Sequence, residues 1–186
     1  MPDSSITKQA LASSLKKLMQ TESFNAIKIA DICDGCKLNR KSFYYHFRDK
    51  YDLLNWIFDT EFSAVLSSPQ CNSIWELFTS MFQYFYDNRD FYHKAMKTTG
   101  QNSFSDHFHQ KLFSFYQSQT QQLVTDSQYR DIQANFFADA LYCATQRWLM
   151  DKKPIPPKEF ATSLKVCLLY GLRCRIAAPP ENRQQA

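Results

Sequence analysis

The sequence predicts an all-α chain of eight or nine helices. Only three of its 186 residues are glycine, which leaves little material for the tight turns of β-hairpins. Apolar residues recur three, four and seven positions apart in one segment after another, as they do on the buried face of a helix. No run alternates apolar and polar residues between turn residues, so we expect no strand. Aromatic residues make up 16% of the chain and predict a heavily packed interior.

The first three predicted helices form one unit. The first begins after a polar cap within residues 3–5 and presents a leucine-rich face. The second spans about 28–34 and stops at Gly35, a residue that can adopt the left-handed geometry of a helix end. The third begins at Asn39, a good N-cap, and runs to Phe47. The residues expected to point inward are Leu11, Leu15, Leu18, Met19, Ile29, Ile32, Leu38, Phe43 and Phe47.

A longer fourth helix leads out of this unit. Asp49 caps it, and it ends where serine and proline interrupt the apolar pattern. Ser73 and Glu76 then make a capping box for a fifth helix. We therefore predict two domains, residues 1–48 and residues 49–186. Further helices are predicted at about 90–99, 103–126, 131–151 and 157–176.

Composition excludes several classes of protein. No apolar run approaches the roughly 20 residues that cross a bilayer. The polar N-terminus lacks the apolar core of a signal peptide, so we expect a cytoplasmic protein without membrane contact. The six cysteines lie in apolar helical patterns, as reduced thiols do in proteins of ordinary size.

We expect no metal, no cofactor and no catalytic residues. Cys33 and Cys36 form a lone CxxC pair, whereas a structural zinc site needs four ligands. His107 and His109 are two apart on a predicted helix and point to different faces. No nucleophile is accompanied by a base, and no glycine-rich loop is present to hold a phosphate, so an enzyme is not indicated.

Positive charge is concentrated near the third helix. Residues 1–52 carry nine Lys or Arg against six Asp or Glu, whereas residues 53–186 carry thirteen against twelve. Residues 35–50 alone hold five basic residues and one acid, together with two tyrosines and a histidine. Basic and aromatic residues at helical spacing indicate binding to a polyanion.

The third helix has two different faces. Positions i, i+1, i+4 and i+5 lie together on a helix, so two basic residues and two tyrosines share the face opposite Phe43. Arginine and lysine donate to guanine, asparagine can bracket adenine, and hydroxyl or ring donors suit phosphate. Arg40 is expected to read bases, and the phosphate candidates are Lys28, Tyr44, His46 and Lys50. The full set of candidate DNA-binding residues is Lys28, Lys37, Asn39, Arg40, Lys41, Ser42, Tyr44, Tyr45, His46 and Lys50.

This stretch resembles the TetR/AcrR family of bacterial transcriptional regulators. The resemblance is close over residues 5–66 and extends in architecture over nearly the whole chain. It implies a homodimer whose third helices enter successive major grooves of a palindromic double-stranded DNA operator, about 34 Å apart. The residues that carry it are Asp31, Ile32, Arg40, Phe43, Tyr44, His46, Phe47, Lys50, Leu53 and Leu54. The positions that depart from the usual pattern are Lys37, Asn39, Lys41 and Tyr45, so the resemblance does not define the operator sequence.

Within that family the chain is similar to regulators of the dihydroxyacetone-kinase operon type. The similarity lies in residues 43–58 and in residues 89–92, which read Arg-Asp-Phe-Tyr. Those regulators are similar to activators that respond through a protein partner resembling a kinase subunit. The resemblance therefore leaves open whether the effector is a small molecule or a protein, and whether the chain represses or activates.

The second domain supplies two more sets of candidates. Most of its aromatic residues are expected to form core, and some of them to line an effector pocket. The last two long helices have apolar faces too wide for one core, which predicts a dimer interface. The pocket candidates are Phe62, Phe78, Met81, Phe82, Phe85, Phe104, Phe108 and Trp148. The interface candidates are Phe136, Ala140, Leu141, Ala144, Trp148, Phe160, Leu164, Cys167, Leu168, Gly171 and Leu172.

One rival function is a helical protein-interaction module without DNA contact. Such a module predicts dispersed surface charge, whereas the basic excess here lies on one short helix. We therefore predict a DNA-binding transcriptional regulator with an N-terminal helix-turn-helix domain and a C-terminal regulatory and dimerisation domain. The fourth helix is expected to carry the effector signal, because it alone is predicted to run from one domain into the other.

Overall fold

The computed structural model describes residues 4–66, 73–100, 102–120 and 127–170, and the chain forms nine α-helices and no strand within these ranges. The predicted all-α fold is confirmed. None of the helices in the described ranges is long and apolar enough to cross a membrane. The helices are α1 (Ser4–Thr21), α2 (Ile29–Gly35), α3 (Arg40–His46), α4 (Lys50–Leu66), α5 (Ile74–Asp87), α6 (Arg89–Ala95), α7 (Phe104–Thr120), α8 (Ser127–Met150) and α9 (Pro157–Tyr170).

Helices α1, α2 and α3 pack as the predicted three-helix unit. Leu11 and Leu15 of α1, Ile32 of α2 and Phe43 of α3 have no exposed surface. Leu53 in the first turn of α4 is equally buried, so the start of α4 also closes this unit. Burial of each such side chain contributes roughly 1.5–3 kcal/mol. This packing stabilises α2 and α3, which have seven residues each and would not be stable alone.

The turn between α2 and α3 differs from the prediction. Gly35 is the last residue of α2, and a Cβ at this position would collide with the hydroxyl oxygen of Ser14 on α1. That hydroxyl donates a 2.7 Å hydrogen bond to the carbonyl of Ile32. The left-handed residue of the turn is Lys37, with φ of 57°. Gly35 is therefore required for close approach of α1, and the expectation that it supplies the left-handed turn is wrong.

The interior of the second domain is a cluster of aromatic rings around Phe58 of α4. Phe58 stacks on Phe85 of α5 at 6.0 Å and meets Phe104 and Phe108 of α7 edge-on at 5.3 and 5.6 Å. Tyr92 of α6 meets the same ring at 6.2 Å. These rings come from four helices, so they determine how α4 sits against the rest of the domain.

The seven-residue helix α6 is bound to α1 and to α8 through two of its cations. The ammonium of Lys94 donates to the carbonyls of Met19, Gln20 and Glu22 at 2.7, 3.0 and 3.1 Å, and so caps the C-terminus of α1. Arg89 donates in the same way to two carbonyls at the C-terminus of α8, those of Leu149 and Asp151. Helix α4 is therefore not the one element that joins the two predicted domains.

Most predicted helix ends are confirmed within two or three residues. Ser73 accepts a hydrogen bond from the backbone of Glu76, as the capping box predicts. The largest differences are of four residues each: α8 begins at Ser127 instead of near residue 131, and α6 ends at Ala95 instead of near residue 99. Thr98 explains this early end, because its hydroxyl donates to the carbonyl of Ala95 and accepts from the backbone N–H of Phe104. The predicted helical segments at 121–126 and 171–176 lie outside the described residues.

Candidate DNA-binding site

Asn39 is the N-cap of helix α3. The side-chain oxygen of Asn39 accepts from the backbone N–H of Ser42 at 2.8 Å and from the hydroxyl of Ser42 at 3.1 Å. A bidentate contact with adenine needs that oxygen as an acceptor. The predicted adenine contact is therefore wrong for this conformation, and Asn39 acts as the N-cap that orients α3.

The two faces of α3 are as predicted. Phe43 has no exposed surface, whereas Tyr44 is 52% and Tyr45 82% exposed. Arg40 and Lys41 are exposed on the same side of the helix as the two tyrosines. Half-buried His46 lies against the ring of Tyr45, with the ring centres 4.8 Å apart. The exposed face of α3 thus presents two cations and two phenols on a helix held in place by its other face.

Lys50 does not belong to this face. Its ammonium donates to the carbonyls of Phe24, Asn25 and Ile27 at 2.8, 3.1 and 2.7 Å, which uses all three of its N–H groups. Burial lowers the pKa of Lys50, and the nearby carboxylate of Asp31 partly offsets the effect. The predicted phosphate contact is therefore wrong, because Lys50 holds the turn before α2 against the start of α4.

The remaining basic candidates are exposed around α3. Lys28 precedes α2, and its backbone N–H donates to the carboxylate of Asp31 at 2.7 Å. Lys37 projects from the turn into α3. Arg48 was absent from the candidate set, yet its side chain is 83% exposed just beyond the end of α3. Its position in the basic stretch of residues 35–50 could have indicated it.

Four of the eight pocket candidates border one cavity. The cavity measures about 160 Å³ and lies between α4, α5 and α7, where Phe62, Phe78, Met81 and Phe108 are among its walls. The other four candidates lie elsewhere in the core. Phe85 and Phe104 pack on Phe58, and Phe82 packs on Trp148 and Phe160. The sequence missed the remaining walls, which are Phe58, Asp59, Ser63, Leu77, Lys111, Leu112 and Phe115.

The polar edge of this cavity is formed by Asp59 of α4 with two partners from α7. His107 Nε2 lies 2.8 Å and Lys111 Nζ 3.1 Å from the same carboxylate oxygen of Asp59. Burial alone would raise the pKa of Asp59, but the hydrogen bonds from His107 and Lys111 outweigh it and lower the pKa. Asp59 therefore remains a carboxylate at neutral pH and ties α4 to α7.

Three predicted interface residues belong to the core of the chain itself. Leu141, Trp148 and Phe160 are each less than 10% exposed, and the rings of Trp148 and Phe160 stack at 4.7 Å. Ala144 and Leu164 are half-buried, whereas Phe136, Ala140, Cys167 and Leu168 are exposed as expected. Gly171 and Leu172 lie outside the described residues. On α8 and α9, the exposed large apolar residues that the sequence analysis missed are Tyr129, Ile132, Val166 and Leu169.

In the CxxC pair, Cys33 is buried and Cys36 is half-buried. Burial raises the pKa of Cys33 and of Cys36, and the Cys36 thiol donates to the carbonyl of Ile32 at 3.3 Å. Within the described ranges, no three His, Cys, Asp or Glu residues are grouped so that they could hold a metal ion.

A helix-turn-helix unit with an exposed basic recognition helix, joined to a larger helical domain, defines a class of DNA-binding regulators. Residues 13–57 match the model of the family described as bacterial regulatory proteins, tetR family. Residues 72–169, more than half of the chain, match the model described as transcriptional regulator C-terminal region. The chain belongs to the TetR family of bacterial transcriptional regulators, which are not enzymes.

Known proteins of similar sequence and structure agree with this assignment. The chain is 30% identical over 95 residues to the HTH-type dhaKLM operon transcriptional activator DhaS of Lactococcus lactis subsp. lactis (strain IL1403). That alignment covers 50% of this chain and 51% of the relative, so it spans about half of each. The structure of a dihydroxyacetone kinase operon activator DhaS has a TM-score of 0.66 at 19% identity, covering 90% of this chain and 97% of that one. A TetR transcriptional regulator from Streptococcus agalactiae 2603V has a TM-score of 0.66 at 16% identity, covering 86% and 92%, and both structures show the shared fold.

Proposed function

We propose that the chain is a sequence-specific transcriptional regulator that binds a palindromic DNA operator as a homodimer. The observation that carries the proposal is the exposed face of α3, where Arg40, Lys41, Tyr44 and Tyr45 lie opposite the buried Phe43. A helix held from behind by its apolar face can enter the major groove with its polar face forward.

The exposed side chains divide into two roles. Arg40, in the first turn of α3, can donate two hydrogen bonds to a guanine. Lys28, Lys37 and Lys41 carry flexible ammonium groups that suit phosphate oxygens. Tyr44, Tyr45 and His46 add ring and hydroxyl donors beside them. Asn39 and Lys50 act indirectly, because their hydrogen bonds orient α3 and the turn before α2.

Apolar stripes on the last two helices support the dimer. Tyr129, Ile132 and Phe136 recur three and four positions apart on α8 and are 57–65% exposed. Val166 and Leu169 form a similar exposed stripe on α9. Exposed apolar side chains that line up along a helix mark association surfaces, and a two-fold axis would match a palindromic site. Sedimentation should therefore detect a dimer that Phe136→Glu dissociates and the neighbouring Gln133→Glu does not.

DNA binding is tested with Arg40→Ala on operator and random DNA. Genome-wide binding in cells supplies the operator, and fluorescence anisotropy then measures affinity. Loss of a bidentate guanine contact should cost about 1–3 kcal/mol on the operator and little on random DNA. Lys41→Ala should weaken both DNAs and lower the log–log salt slope by roughly 0.9. The matched control is Lys153→Ala in the loop between α8 and α9. This variant should change neither the affinity for operator DNA nor the affinity for random DNA.

Two outcomes would contradict the proposal. Equal weakening of operator and random DNA by Arg40→Ala would remove the base-reading role. Absence of DNA binding even at low salt would favour the protein-interaction module instead.

We further propose that an effector controls this regulator, and that the regulator activates the transcription of its operon. The similarity over half the chain to an activator of the dhaKLM operon favours activation. The cavity beside α4 favours a small molecule. Transcription of the genes next to the bound sites should fall when the gene is deleted, whereas a repressor would produce a rise.

A further inference from the structure

The cavity between α4, α5 and α7 has an apolar floor and one polar edge. Phe58, Phe78, Met81 and Phe108 in its floor are each at most 4% exposed. Half-buried Phe62 and Phe115 stand nearer its mouth. At about 160 Å³ the cavity is close in size to an apolar cavity of about 150 Å³ that binds benzene in another protein. Its volume therefore fits a ligand with one six-membered ring.

The walls favour an aromatic ring over a saturated one. Five phenylalanines border the space. Phe58 and Phe62 stack at 5.1 Å, whereas Phe58 and Phe108 meet edge to face at 5.6 Å. The walls thus contain rings in both orientations, which are the two that aromatic pairs prefer.

The polar edge selects one functional group. Lys111 and His107 both contact Oδ1 of Asp59, and the second carboxylate oxygen, Oδ2, is a further acceptor at this edge. The ammonium of Lys111 has three N–H groups and its side chain is 46% exposed, so it can donate to a ligand as well as to Asp59. A hydroxyl can donate to Asp59 and accept from Lys111 at once. A ligand carboxylate would face the carboxylate of Asp59, and a plain hydrocarbon would form no hydrogen bond with either group.

We propose that this cavity binds a neutral phenol, with its ring among Phe58, Phe78 and Phe108 and its hydroxyl between Asp59 and Lys111. Four wall residues, Phe58, Asp59, Phe62 and Ser63, belong to α4. A bound phenol therefore favours one position of α4 and changes the affinity for DNA. This second step rests on the proposed function, whereas binding of the phenol does not.

Four probes test the ligand class on the full chain by isothermal titration calorimetry. Phenol has both features, toluene lacks the hydroxyl, cyclohexanol lacks the aromatic ring, and benzoate replaces the hydroxyl by a carboxylate. We expect phenol to bind at least tenfold more tightly than each of the other three. Equal affinity for phenol and toluene, or no saturable binding of phenol at millimolar concentration, would overturn the proposal.

Two substitutions test the position of the hydroxyl. Lys111→Met keeps the apolar stem and removes the donor, so phenol should bind at least fivefold more weakly while toluene binds as before. Lys153→Met is the matched control and should change neither. Unchanged phenol affinity in Lys111→Met, or a crystal structure with phenol bound elsewhere, would refute the assignment.

Anisotropy on operator DNA with and without phenol separates the two steps. Phenol binding together with a shift in DNA affinity of fivefold or more supports both the ligand site and control of DNA binding through α4. A chain that binds phenol but no DNA contradicts the proposed function and leaves the ligand site standing. A chain that binds DNA but not phenol contradicts the ligand site alone, and binding of both without mutual influence overturns control through α4.

Discussion

In the turn between α2 and α3, hydrogen bonds join residues that are close in sequence. The side chain of Asn39 accepts from the backbone N–H of Ser42, and the N–H of Leu38 donates to the carbonyl of Cys33 at 3.0 Å. In the aromatic interior, Phe58 meets rings from α5, α6 and α7. Capping and turn chemistry act over three to five residues, so a sequence pattern can reveal them. Ring packing depends on the whole domain. The exposed face of α3 therefore depends largely on local sequence, whereas the cavity between α4, α5 and α7 depends on how the whole domain packs.

The largest loss of stability is expected for a substitution at the centre of the aromatic interior. Phe58→Ala removes a fully buried ring that contacts six others, including Phe85 and Phe108. The free energy of unfolding, measured in urea, should fall by about 3–5 kcal/mol because the site cannot collapse. Tyr45→Ala removes an aromatic residue that is 82% exposed and should change it by no more than about 0.5 kcal/mol. Similar losses of unfolding free energy in both variants would contradict the contrast between the aromatic interior and the exposed face of α3.

A smaller loss of stability is expected for a substitution beside the turn between α2 and α3. Gly35→Ala places a methyl group against the hydroxyl of Ser14 and should cost about 1–3 kcal/mol through overpacking. Ser14→Ala removes that hydroxyl and leaves the Cβ atoms 3.5 Å apart, an ordinary contact. The double variant should thus lose less than the sum of the two single losses in a urea double-mutant cycle. Additive losses would mean that Gly35 is required for another reason.

The smallest effect concerns the connection between the regions. Lys94→Met removes the three hydrogen bonds that cap the C-terminus of α1 and should lower the free energy of unfolding by about 1–2 kcal/mol. Exposed Lys97, three residues further on, is the matched control, and Lys97→Met should change stability by about 0.5 kcal/mol at most. Hydrogen exchange should then locate the loss at the end of α1. Equal protection there in both variants would show that α6 does not hold α1.

The errors of sequence analysis share one cause. Lys50 was expected on the DNA face, yet its partners lie 23 to 26 positions away, beyond any local pattern. Leu141, Trp148 and Phe160 were expected in a dimer interface, yet they face their own core. An amphipathic period identifies an apolar face and leaves open whether that face meets its own chain or a partner.

The sequence by itself determined the all-α fold, the order of the helices, the caps at Asn39 and Ser73 and the two faces of α3. Each follows from helical periodicity or from hydrogen bonds that span a few residues. Tertiary structure alone decided that Gly35 makes room for Ser14, that Lys50 and Lys94 bind carbonyls, and which rings border the cavity. These features arise where helices distant in sequence pack together, because close packing acts on neighbours in space.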